Sequence, residues 1–141
     1  MIGNPLIIKK EFRCSIEMLW NAISNSSAIR NWFFEVTDFE LKEGESFEFY
    51  AGKYLHTCTI TDVFLYHKLS YTWEYPLYEG MSMVIFEIHT ISPDQLVSLE
   101  LTHQGIASFP QDIDDFKRSS FEASWEDVLE NGLRKYVEYQ E

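Results

Sequence analysis

The chain has 141 residues, of which 45% are hydrophobic and 16% aromatic, enough for one domain with a real core and unlike a disordered segment. A formal net charge of −12, with no basic stripe to offset it, repels nucleic acid and anionic bilayers. No apolar stretch is long enough to span a bilayer, and Met-Ile-Gly-Asn-Pro lacks the basic and apolar regions of a signal peptide, so a single cytoplasmic domain over 1–141 is expected, without nucleic-acid or membrane partners.

Residues 6–13 read as a first strand. Ser15 then stands as a helix N-cap, followed by Ile16, Leu19, Trp20 and Ile23 at helical spacing. Asn25-Ser26-Ser27 breaks that helix and can cap a second, short one running through Trp32 and Phe33. From about residue 36 to residue 104 the period changes to two. Phe47 and Phe49 alternate with polar neighbours, and residues 54–63 form a β-branched run in which His56, Cys58 and Ile60 share a face. A bulge within that run would invert this face assignment. Leu69, Tyr71, Trp73 and Tyr75 fall on one face of the next strand, Val84, Phe86 and Ile88 on one face of another, and Val97, Leu99 and Leu101 on the last. Short connections at 51–53, 64–67, 76–80 and 92–95 make these strands an antiparallel meander.

Residues 105–119 read as a loop with an acidic run from Asp112 to Asp115. A helix follows from Ser120, with an apolar stripe of Phe121, Trp125, Val128, Leu129, Leu133, Tyr136 and Val137. Gly132 costs about 1 kcal/mol against Ala inside that helix, and close packing on the sheet is the expected compensation. The order β-α-α-β(five or six)-α leaves one apolar sheet face and one long amphipathic helix to cover it. A bent sheet gripping a single helix rarely fills completely, so a pocket between them is expected.

Landmarks along the chain resemble those of a known family. They are Leu19-Trp20-Asn21-Ala22 in the first helix, Trp32-Phe33 ending the second, the turn and strand from Gly44 to Phe49, Leu69 to Trp73 (Leu-x-Tyr-Thr-Trp), Leu101 to Gly105 (Leu-Thr-His-x-Gly), and Trp125 to Leu129 in the last helix. In this order, over about Leu6 to Tyr139, the chain resembles the START-like (SRPBCC) superfamily, and within it the family named for the activator of heat-shock protein 90 ATPase. The resemblance implies an α+β helix-grip (START/Bet v 1-like) fold, in which a curved antiparallel sheet wraps a long C-terminal helix, with two short helices after the first strand. Four positions depart from the family pattern. Cys14-Ser15 replaces Ala-Pro, Glu45 replaces the second turn glycine, Leu65-Tyr66 replaces Pro-Pro, and Ser124 replaces the glycine before the last-helix Trp. The family has no shared catalytic set, so no catalytic residue is carried over.

Candidate site residues follow from strand parity. His103 shares parity with Leu99 and Leu101, points inward, and is either a polar anchor or general base, or a structural histidine bracing the Gly105 turn. Tyr71, Trp73, Phe86 and Trp125 are candidates for an aromatic wall around an apolar ligand, and otherwise ordinary core. His56, Trp32 and Leu129 complete the expected ligand-binding set. His56 and Cys58 supply only two metal ligands, no third stands at recognisable spacing, and phosphate-cradling glycine loops are missing. Neither a metal nor a cofactor is therefore expected. Cys14 and Cys58 are too few for a disulfide framework and read as buried thiols.

Three functions are compatible with these features. The first is a non-catalytic module holding an apolar or amphipathic small molecule. The second, implied by the resemblance, is a partner of the heat-shock protein 90 chaperone that modulates its ATPase. The third is a cyclase- or hydrolase-like enzyme using His103, His56 and Tyr71. The sequence leaves the oligomeric state open.

Overall fold

The computed structural model describes residues 4–139; residues 1–3 and 140–141 of the expected 1–141 domain lie outside the described residues. Strand β1 (Leu6–Phe12) leads into helices α1 (Ile16–Ser24) and α2 (Ser26–Trp32). Five strands follow: β2 (Ser46–Ala51), β3 (Tyr54–Phe64), β4 (Lys68–Trp73), β5 (Ser82–Ser92) and β6 (Leu96–Gln104). They form one antiparallel sheet in the order β1-β6-β5-β4-β3-β2, so β1 and β2 are its two edges. This is the α+β helix-grip architecture that the family resemblance implies.

The helix starts are built as their cap residues dictate. Ser15 Oγ accepts from the Met18 N–H at 3.1 Å, opening α1. Asn25 Oδ1 accepts from Ser27 and Ala28, opening α2 one residue after α1 ends. Two helices in this short space set a tight corner at one side of the sheet, and the Trp32 indole fastens it by donating to the Ala22 carbonyl at 2.7 Å.

The β3 run carries the bulge that the sequence allows for. Ile60 pairs with Tyr71 but Asp62 pairs with Ser70, so one residue of β3 has no opposite number. The shift turns Asp62 to the outer face, where it accepts from Ser70 Oγ at 2.7 Å, and turns Val63 back toward the core opposite Leu69. His56, Cys58 and Ile60, before the bulge, keep the inward face and are buried.

The loop after β6 contains two single turns of 3-10 helix, Ile106–Ser108 and Asp114–Phe116. The C-terminal helix begins at Arg118, two residues earlier than the pattern indicates, as α3 (Arg118–Asp127). It continues through a π-helical segment (Val128–Leu133) into α4 (Arg134–Glu138). Its apolar stripe explains the π segment. Phe121, Trp125, Leu129, Leu133 and Val137 recur every fourth residue, and all five are buried. An α-helix turns roughly 100° per residue, so each four-residue step overshoots by roughly 40°. The π segment, with its i→i+5 bonds, is wound less tightly and returns the later stripe residues to the sheet.

The expectation that Gly132 packs on the sheet is corrected. A Cβ there would lie 2.5 Å from the backbone carbonyl oxygen of Trp32, so the glycine lets the π segment touch α2 instead. At the far end, Arg134 pairs with Glu130 and Glu138, donates to the Glu11 carbonyl at 3.0 Å, and lies over the Phe12 ring. These contacts pin α4 to β1. Among the described residues, no helix is long and apolar enough to cross a membrane.

Candidate functional site

The interior between sheet and helix is filled in the middle and open at one end. There a cleft of about 460 Å³ lies between the β2–β3 hairpin tip, the residues just after α2, the Asp114–Phe116 turn and one face of α3. Its walls are mainly aromatic: Phe33 and Phe34 after α2, Tyr54 and His56 on β3, Trp73 and Tyr75 on and beyond β4, Phe116, and Phe121 and Trp125 on α3. The cleft exists because Phe33 ends α2 outside helical geometry, at φ −116° and ψ −107°, and the chain turns there before β2. Phe33 then stacks on Trp125, with centroids 5.7 Å apart and planes 11° apart, and Phe34 stacks on Phe49 at 5.1 Å and 6°. These two rings form the wall facing the hairpin tip.

Among the described residues, the charged groups lining the cleft stand at its rim. Lys53 and Asp115 line the opening and are exposed. Tyr54 bridges the mouth: its hydroxyl donates to Asp115 Oδ2 at 2.7 Å, and that bond is the leading cause of a Tyr54 pKa pushed up to about 12. Ser124 offers a small polar face from the helix, while the Ser120 hydroxyl already donates to the Asp114 carbonyl.

Deeper in, His56 stacks flat on Phe49 at 4.5 Å and 12° and meets the edges of Trp73 and Tyr75. Its Nδ1 lies 3.1 Å from the Tyr54 carbonyl. Burial lowers its pKa to about 4, against the pull of the Tyr54 and Phe49 carbonyls, so the ring is neutral at physiological pH.

Of the eight expected ligand-binding residues, the structure brings three to the cleft: His56, Trp73 and Trp125. Tyr71 and Phe86 lie mid-sheet, buried against other side chains. Tyr71 meets Phe47 edge-on at 5.0 Å, and Phe86 meets Trp125 edge-on at 6.0 Å. Leu129 is fully buried under the helix, and Trp32 is turned toward α1.

His103 is held in a closed chain of hydrogen bonds. The Trp125 indole donates to its Nδ1 at 3.0 Å, so Nε2 carries the hydrogen and donates to Ser82 Oγ at 2.8 Å. Ser82 in turn donates to the Trp73 carbonyl at 2.9 Å. Burial lowers the His103 pKa to about 3, and both of its nitrogens are occupied. The residues weighed for chemistry, His56, Tyr71 and His103, therefore share no common open space. Among the described residues, no group of three or more His, Cys, Asp or Glu is placed to hold a metal ion.

Sequence reasoning did not single out Phe33, Phe34, Tyr54, Tyr75, Phe116 or Phe121 for the site. Tyr75 carried a signal, because it continues the inward parity of Leu69, Tyr71 and Trp73. The Phe33-Phe34 pair carried another, since two adjacent aromatics cannot both belong to one helical stripe.

Residues 13–138 match the family described as "Activator of Hsp90 ATPase homolog 1-like protein". No curated protein matches the chain. Among solved structures, the chain is similar to protein MLL2253 from Mesorhizobium loti, at 21% identity and a TM-score of 0.77, over 98% of this chain and 99% of that one. It is also similar to protein BH1534 from Bacillus halodurans, at 23% identity and a TM-score of 0.75, over 97% and 99% of the two chains. A third similar structure is CalU16 from Micromonospora echinospora, at 20% identity and a TM-score of 0.74, over 94% of this chain and 75% of that one. At these identities the likeness concerns the helix-grip fold.

Proposed function

The chain belongs to the family described as Activator of Hsp90 ATPase homolog 1-like protein, and from that premise we propose that it is a non-catalytic binding module that holds an apolar or amphipathic small molecule. One observation carries the reading. A cleft of about 460 Å³ stays open beside a tightly packed core, and its walls are aromatic while its charges stand at the rim. Pockets of this size and lining bury most of the surface of a small ligand. An apolar body would lie against Phe33, Trp73, Phe121 and Trp125, and a polar end would face Lys53 and Ser124.

Two measurements together test it. Native mass spectrometry of protein purified from its own host without denaturation should show an extra mass that organic extraction removes. The Ser124→Phe variant, which places a ring in the mouth of the cleft from an exposed helix position, should lose that mass and bind 8-anilinonaphthalene-1-sulfonate at least tenfold more weakly. Wild-type protein that carries no extra mass and binds the dye no better than the variant would overturn the reading.

The family description supports a second reading, a chaperone partner that modulates the Hsp90 ATPase. The host chaperone's ATPase rate, measured with saturating protein, tests it. An unchanged rate removes it.

A further inference from the structure

Resting on the binding-cleft reading, the deeper part of the cleft specifies its ligand further. Two polar side chains there are more than nine-tenths buried, His56 at 4% exposure and Tyr75 at 5%, and both line the cleft. Their rings lie 4.6 Å apart. The hydrogen bonds each already makes determine what each has left to offer.

His56 Nδ1 sits against the Tyr54 carbonyl. A carbonyl can only accept, so Nδ1 carries the ring hydrogen and Nε2 presents a lone pair. Among the described residues no hydrogen bond to that Nε2 is found, and His56 lines the cleft. Tyr75 has the opposite character. Its oxygen accepts from the Trp73 indole N–H at 3.0 Å, so one lone pair is engaged and its O–H is left to give. Among the described residues, no acceptor takes that hydrogen. The cleft therefore holds, side by side, one unspent acceptor and one unspent donor. Neither carries a formal charge in the geometry found. The Tyr54 hydroxyl and the Ser120 hydroxyl are already spent on Asp115 and Asp114, and the charged groups stand outside at the rim.

Among uncharged groups, a hydroxyl is the compact one that donates to a nitrogen and accepts from another hydroxyl through a single atom. An anion has nothing to give His56, and a hydrocarbon leaves both groups unpaired. We propose that the cleft selects an uncharged, mainly apolar ligand that bears a hydroxyl group, which donates to His56 Nε2 and accepts from Tyr75 Oη–H. His56 and Tyr75 are then the specificity-determining residues of the site. The aromatic wall supplies affinity that does not discriminate among apolar bodies.

Three probes of one shape test this on the wild-type protein at pH 7 by quenching of tryptophan fluorescence: 2-naphthol, 2-methylnaphthalene and 2-naphthoate. The expected order has 2-naphthol tightest, by about tenfold over 2-methylnaphthalene, as a net pair of buried hydrogen bonds implies. In His56→Phe the ratio of 2-naphthol to 2-methylnaphthalene affinity, both measured on that variant, should shrink to about twofold or less. Equal affinity for 2-naphthol and 2-methylnaphthalene in the wild type would overturn the hydroxyl assignment and leave the cleft reading standing. Affinity for 2-naphthoate equal to that for 2-naphthol would overturn the requirement for an uncharged ligand. Failure of all three probes to bind better than they bind Ser124→Phe would remove the cleft reading itself. The wild-type comparison needs no variant, so poor folding of His56→Phe does not obscure the result.

Discussion

Replacing Gly132 by Ala sets two effects of opposite sign against each other. Helix propensity alone favours Ala by about 1 kcal/mol. The new Cβ, however, would stand 2.5 Å from the Trp32 carbonyl oxygen. A carbon-to-oxygen contact normally settles at roughly 3.3 Å, so α2 and the π segment must separate by roughly 0.8 Å. Neither side gives easily. Trp32 is tied to Ala22 by its indole, and α2 is capped by Asn25. On the other side, Leu129 and Leu133 are fully buried against the core. Overpacking of this kind costs about 1–3 kcal/mol, so Gly132→Ala should be less stable than the wild type, by up to about 2 kcal/mol net of the propensity gain. Urea unfolding followed by circular dichroism should show a lower midpoint with an unchanged slope. Because Phe33 and Phe34 follow directly on Trp32, dye binding in the cleft should weaken as well. A Gly132→Ala protein as stable as the wild type, or more so, would refute the packing argument and leave only propensity.

Other perturbations follow from the same geometry. His103→Leu leaves the buried Trp125 indole N–H without its acceptor and should cost about 2–4 kcal/mol in urea unfolding; a loss below about 1 kcal/mol would contradict the closed hydrogen-bond chain. Acid should destabilise the fold earlier than its carboxylates require. The pKa values of His56 and His103 are lowered by burial to about 4 and about 3, whereas both take up protons near pH 6.5 once unfolded. The unfolded state therefore binds more protons below about pH 6.5, so stability is full above that pH and falls as pH drops toward the folded values, at up to about 2.7 kcal/mol per pH unit for two protons. Denaturation midpoints that stay level between pH 7 and pH 5 would sink this reading. Tyr54→Phe removes the exposed bond to Asp115 across the cleft mouth. Stopped-flow measurement should find dye entering and leaving faster, with stability changed by less than about 1 kcal/mol; unchanged rates would mean that this bond does not limit access.

Much of the fold was legible because it depends on which way side chains point. Period-two parity on the strands and the Ser15 and Asn25 caps translate directly into local geometry, and the order of elements left only one helix to cover the apolar face. The site was less legible because a cavity depends on what fails to fill the space in front of a side chain. Parity turns Tyr71 and Phe86 inward as firmly as Trp73, yet Phe47 and Trp125 occupy the space before the first two. Trp73 borders the cleft only because α2 stops at Trp32 and the hairpin tip stands away from α3. The role of His103 turned on a partner that parity cannot choose. The indole of Trp125 meets its Nδ1, and a ring with both nitrogens engaged has no lone pair for a ligand. The π segment was visible in principle. A strict four-residue spacing across Phe121, Trp125, Leu129, Leu133 and Val137 does not suit a helix of 3.6 residues per turn, though taken simply as a stripe it looks ordinary.

The four-residue spacing also bears on how the chain tolerates changes in length. A residue lost from the middle of an ordinary helix rotates everything beyond it by roughly 100°, which would swing Val137 and the Arg134 contacts away from β1. Here the surplus is already stored in the loose turn. Removing the exposed Asn131 would shorten the step from Leu129 to Leu133 from four residues to three, and normal winding could take up the slack while the buried residues on either side keep their places. The segment from Val128 to Leu133 thus works as an expansion joint, the one stretch of the long helix where a single-residue deletion should leave the rest of the molecule in register.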